Sequence, residues 1–247
     1  MKVYFIGAGP GAVDLITVRG REILARSQVV IYAGSLVSPE HLAFAPATAE
    51  THDSSGLTLE DIRAILISAR ERQLDVARLH TGDPSLYGAV REQVELCEEL
   101  NLAWEIVPGV SSAFAAAARL GVEYTVPDGT QTLIFSRVEG RTPVPAGESL
   151  DSLARHQSSL AIFLSVQEIE KVTCQLIKSL PPTTPVVVAY RVTWPDESFI
   201  RGNLADIAEK VRKAGINRTA LILVGEALTS SGRRSLLYHG DFKHGYR

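Results

Sequence analysis

A chain of 247 residues with 45% apolar and 21% charged side chains can bury either one large core or two of roughly 120 residues each, and nothing in its composition suggests disorder. Its formal net charge of -3 and pI of about 6.1 leave no excess of cations to spread along a nucleic-acid backbone, so an anionic ligand would need a local basic pocket. The opening run from Lys2 to Ile6 breaks into Gly7, Gly9, Pro10 and Gly11 too early for a secretory apolar segment. No stretch approaches the roughly 20 apolar residues of a membrane span, so the chain reads as soluble and cytoplasmic.

In chain order, short β-branched runs over residues 3–6, 29–32, 76–80 and 104–107 alternate with helical patterns. Apolar runs without strict alternation predict strands covered on both faces, and the helices between them supply the crossovers of a mainly parallel sheet. The clearest helix runs over 58–72, where Leu59, Ile62, Ile65, Leu66 and Ala69 recur at three and four residues and Thr58 with Asp61 form a capping box. Asp83-Pro84 predicts a second helix start, carrying on to about Leu100, and an Ala-rich helix covers 111–120. Pro127, Asp128 and Gly129 give a strong turn signal, so the expected domains are 1–125 and 130–247.

The second half restarts with strands over 132–136, 160–164, 186–190, 198–201 and 220–224, separated by helices near 148–155, 168–180 and 204–213. The two cysteines, Cys97 and Cys174, fall in helical segments without CxxC spacing or a neighbouring His, which predicts two buried reduced thiols and no metal site.

Three loops at strand ends carry the chemistry. The segment Gly7-Ala8-Gly9-Pro10-Gly11-Ala12 satisfies the dinucleotide pattern GxGxxG/A, but the second strand runs into Ala33, Gly34 and Ser35 where a ribose-binding carboxylate should stand. Pro10 also removes an N–H that a pyrophosphate would need, so a tight turn is the better reading. Thr81-Gly82-Asp83-Pro84-Ser85-Leu86-Tyr87-Gly88 sits where a ligand binds in an open parallel sheet; Gly82 permits close backbone approach, and a helix start there could hold a small carboxylate. Pro108-Gly109-Val110-Ser111-Ser112-Ala113 repeats the arrangement after the next strand. A capped helix and close packing would explain each loop singly; two in succession point to a shared pocket.

Taken in order, these three loops with Asp14-Leu15-Ile16-Thr17 resemble the tetrapyrrole methyltransferase family over nearly the whole chain. Tyr32-Ala33-Gly34-Ser35-Leu36-Val37, His52-Asp53-Ser54-Ser55-Gly56 and the ending with Leu237, Tyr238, Phe242, His244, Gly245 and Arg247 resemble its precorrin-4 C-11 branch. The resemblance implies two α/β domains, the first with a mainly parallel and the second with a mixed sheet, forming a cleft for S-adenosylmethionine, and a homodimer. Carried over by motif, cofactor contacts fall on Pro10, Gly82, Asp83, Ser85, Tyr87, Ser112 and Ala113, and in the second domain on Leu164, Val192 and Ala220.

A substrate bearing many acetate and propionate groups calls for arginines, whose planar fork binds carboxylate bidentately. Arg137, Arg141 and Arg191 follow second-domain strands and are the candidates. His52 and Asp53, read in a loop before a helix, are candidates for proton acceptor or hydrogen-bond partner to the macrocycle, with an Asx-turn as the alternative. Methyl transfer from a sulfonium rests on positioning and requires no nucleophilic triad, metal cluster or phosphate loop. Whether the ring carries cobalt stays open, because ring nitrogens would hold the metal. The competing readings are other tetrapyrrole methyltransferases (uroporphyrinogen-III, C-20, C-17), the ribosomal-RNA and diphthamide branches, a nicotinamide oxidoreductase and a non-enzymatic tetrapyrrole carrier.

Overall fold

The computed structural model describes residues 1–127, 129–140 and 142–229. Its first sheet is built from β1 (Lys2–Gly7), β2 (Val29–Tyr32), β3 (Glu50–Asp53), β4 (Val76–His80) and β5 (Ala103–Val107), in the order β3-β2-β4-β1-β5. Every pairing is parallel. Helices α1 (Val18–Leu24), α2 (Leu59–Glu71) and α3 (Val90–Glu99) make the crossovers.

Alternation along the strands divides the apolar side chains between two faces. Tyr4, Ile6, Val30, Ala77 and Leu79 pack with Ile23 and Leu24 of α1. Val3, Phe5, Val29, Ile31 and Val76 pack with Ile62, Leu66 and Ala69 of α2 and Val94 and Cys97 of α3. Both faces are buried, which is why these strands read as continuous apolar runs. The α2 capping box is present as expected: Asp61 N–H donates to Thr58 Oγ1 at 3.2 Å, and Thr58 N–H donates to Asp61 Oδ2 at 2.8 Å.

After α4 (Ser112–Leu120) the second sheet follows, with β6 (Leu133–Arg137), β7 (Ser159–Phe163), β8 (Pro185–Tyr190), β9 (Ser198–Asn203) and β10 (Ala220–Val224). Its order is β6-β7-β10-β8-β9; β6 and β7 are parallel and the remaining pairs antiparallel, so the sheet is mixed. Helices α5 (Leu150–Ala154), α6 (Ile169–Leu176) and α7 (Ile207–Lys213) bury Leu150, Val172, Leu176, Ile207 and Val211 in one core with Leu160, Ile162, Val188 and Ile222. The chain divides into two compact units, one of Met1–Ala115 with Thr193–Pro195 and one of Ala116–Val192 with the described residues from Asp196 on.

Three expectations are corrected. The helix expected at Asp83-Pro84 begins only at Val90, because Tyr87 (φ 54°) and Ala89 (φ 46°) turn the chain left-handed first. His52 and Asp53 lie in strand β3 rather than in a loop. Cys97 is buried, and desolvation pushes its thiol up to about 11, but Cys174 is exposed on α6.

Candidate functional site

In the first sheet β1 lies between β4 and β5, so the chain crosses over itself there and the loops leaving these three strands sit side by side at their carboxyl ends. Glycines let them pack backbone on backbone. Gly9 and Gly82 exchange hydrogen bonds, Gly82 N–H to Gly9 O at 2.8 Å and Gly9 N–H to Gly82 O at 3.3 Å. A Cβ on Gly7 would stand 2.5 Å from Gly109 Cα and 2.7 Å from Gly82 O, distances that real side chains do not occupy. Gly82 itself is left-handed, φ 63°, and a Cβ there would meet nothing nearer than 3.8 Å. The position therefore calls for glycine because of its dihedral and not for lack of space.

The donors of the first loop are largely spent inside the protein. Ala8 N–H bonds His80 O, Gly9 N–H bonds Gly82 O, Ala12 N–H bonds Thr193 Oγ1 at 2.9 Å, and Pro10 has none. Among the described residues only the Gly11 amide of this loop lacks a protein acceptor. One open donor is no cradle for a pyrophosphate, which removes the physical basis of a nicotinamide site despite the glycine pattern. The third loop differs: the amides of Val110 and Ser111 have no acceptor among the described residues.

Asp83 joins the second loop to the third. Its Oδ2 accepts from Gly109 N–H at 2.8 Å, and its Oδ1 accepts from Ser85 N–H at 2.9 Å and from the Ser85 hydroxyl. Burial opposes ionisation of this carboxyl, but the Ser85 hydroxyl and the Gly109 and Ser85 amides outweigh it and hold the group below its ordinary value. Asp83 is thus an ionised brace between loops. Tyr87 is partly exposed at the tip of the second loop, whereas Ala113 is fully buried.

The segments that follow β2 and β3 are tied to each other. Asp53 Oδ1 accepts from Gly34 N–H and Ser55 N–H, both at 2.9 Å, and Ser54 Oγ donates to Tyr32 O at 3.1 Å. The Gly34 and Ser55 amides hold the Asp53 carboxyl below the usual carboxylate range, so it stays ionised and is occupied in shaping the turn. His52 Nε2 lies 3.0 Å from Glu50 Oε1, and Glu50 is also paired with Arg72 at 2.8 Å. Arg78, buried on β4, donates from Nε to Gln93 Oε1 at 3.0 Å and from an Nη to Ser54 Oγ at 2.7 Å; desolvation lowers it to about 10. His80, two residues on, is buried beneath the Tyr87–Ala89 bend. Desolvation, with the charge of Arg78, lowers its pKa to about 4, so its ring is neutral at ordinary pH.

In the second unit, Arg137, Leu164, Val192 and Ala220 fall at one end of the sheet. Arg137 pairs with Phe163 in register and Ala220 with Tyr190, which puts the ends of β6, β7 and β8 beside the start of β10. Leu164 is 74% exposed at φ 54°, an apolar side chain in the left-handed region, whereas Val192 is buried. The Arg137 guanidinium is engaged with its own loop, donating to Thr142 O at 3.1 Å and Pro143 O at 2.8 Å. Arg191 pairs with Asp196, Nε to Oδ1 at 2.6 Å. Arg141 and the terminal motif residues Leu237, Tyr238, Phe242, His244, Gly245 and Arg247 lie outside the described residues. Among the described residues no three His, Cys, Asp or Glu side chains gather as a metal site, and no helix is long and apolar enough to cross a membrane.

A model of the tetrapyrrole (corrin/porphyrin) methylases matches residues 2–208. The chain belongs to this family. It is 48% identical to the cobalt-precorrin-4 C(11)-methyltransferase of Methanocaldococcus jannaschii, over 100% of this chain and 96% of that protein. It is also 48% identical to the precorrin-4 C(11)-methyltransferase of Pseudomonas aeruginosa, over 100% and 99%. Among solved structures, a cobalt precorrin-4 methyltransferase of cobalamin biosynthesis superposes with a TM-score of 0.90 at 45% identity, over 92% of this chain and 96% of that one. The uroporphyrin-III C-methyltransferase of Thermus thermophilus in complex with S-adenosylhomocysteine gives 0.78 at 26% identity, over 92% and 99%. One parallel and one mixed α/β sheet are the tetrapyrrole methylase fold.

Four side chains of this tetrapyrrole methylase escaped the sequence reading. Trp194 Nε1–H donates to Pro10 O at 2.9 Å, and His41 bridges the Ala8 and Ser38 carbonyls at 2.9 and 3.0 Å. Arg78 and His80 alternate with Ala77 and Leu79 inside an apolar strand. A cation and an imidazole in a core strand were the available signal for the last two, since burial of such groups calls for a specific reason. For Trp194 and His41 the partners are distant in sequence and leave no local pattern.

Proposed function

We propose that the protein transfers a methyl group from S-adenosylmethionine to C-11 of precorrin-4, with or without cobalt in the ring, as a step of cobalamin biosynthesis. The observation that carries the reading is equal identity, 48% over the full chain, to relatives named for the cobalt-loaded and the metal-free substrate. A family neighbour solved with S-adenosylhomocysteine supports the choice of donor. The sulfonium supplies an activated methyl: the ring carbon forms the new C–C bond as the C–S bond breaks and the thioether leaves.

What the chain contributes is placement. Pro10, Gly82, Asp83, Ser85, Tyr87, Ser112 and Ala113 lie on the three adjoining loops, and the open Val110 and Ser111 amides are donors suited to the carboxylate of the methionyl portion. Leu164, Val192 and Ala220 are the contacts assigned to the second unit. Arg137, Arg141 and Arg191 are assigned to substrate carboxylates. Asp53 is occupied by the Gly34 and Ser55 amides, and His52 Nε2 lies 3.0 Å from Glu50 Oε1. A cytoplasmic homodimer belongs to the same reading, and light scattering tests the dimer.

Incubation with S-adenosylmethionine and precorrin-4, cobalt-loaded or metal-free, followed by mass spectrometry, is the test. One added methyl on the macrocycle with equimolar S-adenosylhomocysteine is expected. Binding of the ring without consumption of the donor would show a carrier instead.

A further inference from the structure

The chain leaves the second unit at Val192, contributes Thr193–Pro195 to the first, and returns at Asp196. This excursion is held in an unfavourable backbone. Arg191 has φ 44° and Thr193 φ 68°, and a β-branched residue in that region is an outlier that the surroundings must enforce. The Arg191–Asp196 ion pair closes its base, and Arg191 N–H donates to Thr219 O at 2.9 Å.

Three contacts at the tip of the excursion fall on the first glycine loop. Thr193 Oγ1 accepts from Ala12 N–H and Trp194 Nε1–H donates to Pro10 O, both at 2.9 Å. The indole abuts Gly11, where a Cβ would stand 2.3 Å from Trp194 Cδ1 and 2.5 Å from Nε1. Pro10 has no N–H, and among the described residues the one other backbone bond to residues 10–12 is Leu15 N–H to Ala12 O at 3.2 Å.

We propose that Trp194, assisted by Thr193, is a positioning residue for the methyl donor, clamping the Pro10–Gly11 backbone in the conformation against which the donor sits. The proposal rests on the methyltransferase reading above. The clasp also takes the Ala12 amide that a pyrophosphate would need, so the same contacts that set the loop for a sulfonium donor turn away a dinucleotide.

The test is a cycle of Trp194→Phe, Trp194→Ala, Gly11→Ala and the Gly11→Ala/Trp194→Ala pair, read by calorimetry with S-adenosylhomocysteine and by steady-state kinetics. Trp194→Phe keeps an aromatic ring of smaller bulk and loses the Nε1–H hydrogen bond, so affinity should fall by about twofold to tenfold. Gly11→Ala forces the indole away and should cost about tenfold or more. In the pair the new methyl enters space the indole has vacated, so affinity should recover above that of Gly11→Ala alone. The loss should appear in KM for S-adenosylmethionine with kcat at saturation near parental. Leu66→Ala, a core change on α2, should lower the melting temperature and leave that KM unmoved.

Trp194→Phe carries the test should Trp194→Ala fail to fold. Parental affinity in both Trp194 variants, or additive losses in the cycle, would overturn the clasp. A parent protein that binds no S-adenosylhomocysteine would instead remove the donor reading on which it rests.

Discussion

Two residues show how a local constraint reaches the site. Gly82 is needed for its left-handed dihedral, so Gly82→Ala should cost about 1 kcal/mol of stability and loosen the bridge to Gly9. Denaturant unfolding reads the first effect and S-adenosylhomocysteine titration the second; a variant equal to the parent in both would show that the bend tolerates a side chain. His80 is neutral in the fold with a pKa near 4 against an ordinary 6.5. A base with a depressed folded pKa takes up protons first in the unfolded chain, so its contribution is complete above pH 6.5 and is lost as pH falls toward 4. The shift corresponds to about 3 kcal/mol across that window. Stability curves of the parent and His80→Asn should therefore converge in shape above pH 6.5 and separate below it, the variant having the shallower acid limb. Equal slopes would mean that other groups carry the acid sensitivity.

At the scale of elements, the capping box of α2 is a purely local device, and Thr58→Ala should destabilise the protein by about 1 kcal/mol while leaving ligand affinity unchanged. The Thr81–Ala89 loop is the opposite case. Asp83 followed by Pro84 carries every local mark of a helix start, yet the carboxylate is used to accept from Gly109 N–H on another loop. Asp83→Asn should keep one acceptor oxygen and lose the charge, weakening donor binding several-fold with a modest fall in melting temperature. A large fall with unchanged affinity would make Asp83 a fold residue only. Strand β3 escaped recognition because Glu-Thr-His-Asp is a polar edge pairing with β2 through its backbone, and such pairing leaves no hydrophobic trace.

For the whole molecule, the substrate assignment gives the remaining prediction. Arg137→Ala should raise KM for the tetrapyrrole by roughly tenfold to a hundredfold, with Arg137→Lys recovering part of the loss and S-adenosylhomocysteine affinity unchanged. Because the guanidinium also bonds Thr142 O and Pro143 O, a melting-temperature control separates substrate contact from loop support. A KM indifferent to the change and to added salt would exclude it. Nine of the ten strands among the described residues, the α2 cap and the three glycine-bearing loops could be read from residue order, because hydrophobic period, capping and turn chemistry act within a few neighbours. The departure of the Asp83 segment from helix, the tie of Asp53 to the Gly34 amide, and the seat of Trp194 on Gly11 were settled only by folding. Each depends on a donor, acceptor or surface brought in from elsewhere in the chain: Gly109 for Asp83, Gly34 for Asp53, and for Gly11 an indole 183 positions further along, a pairing that no local pattern of residue types encodes.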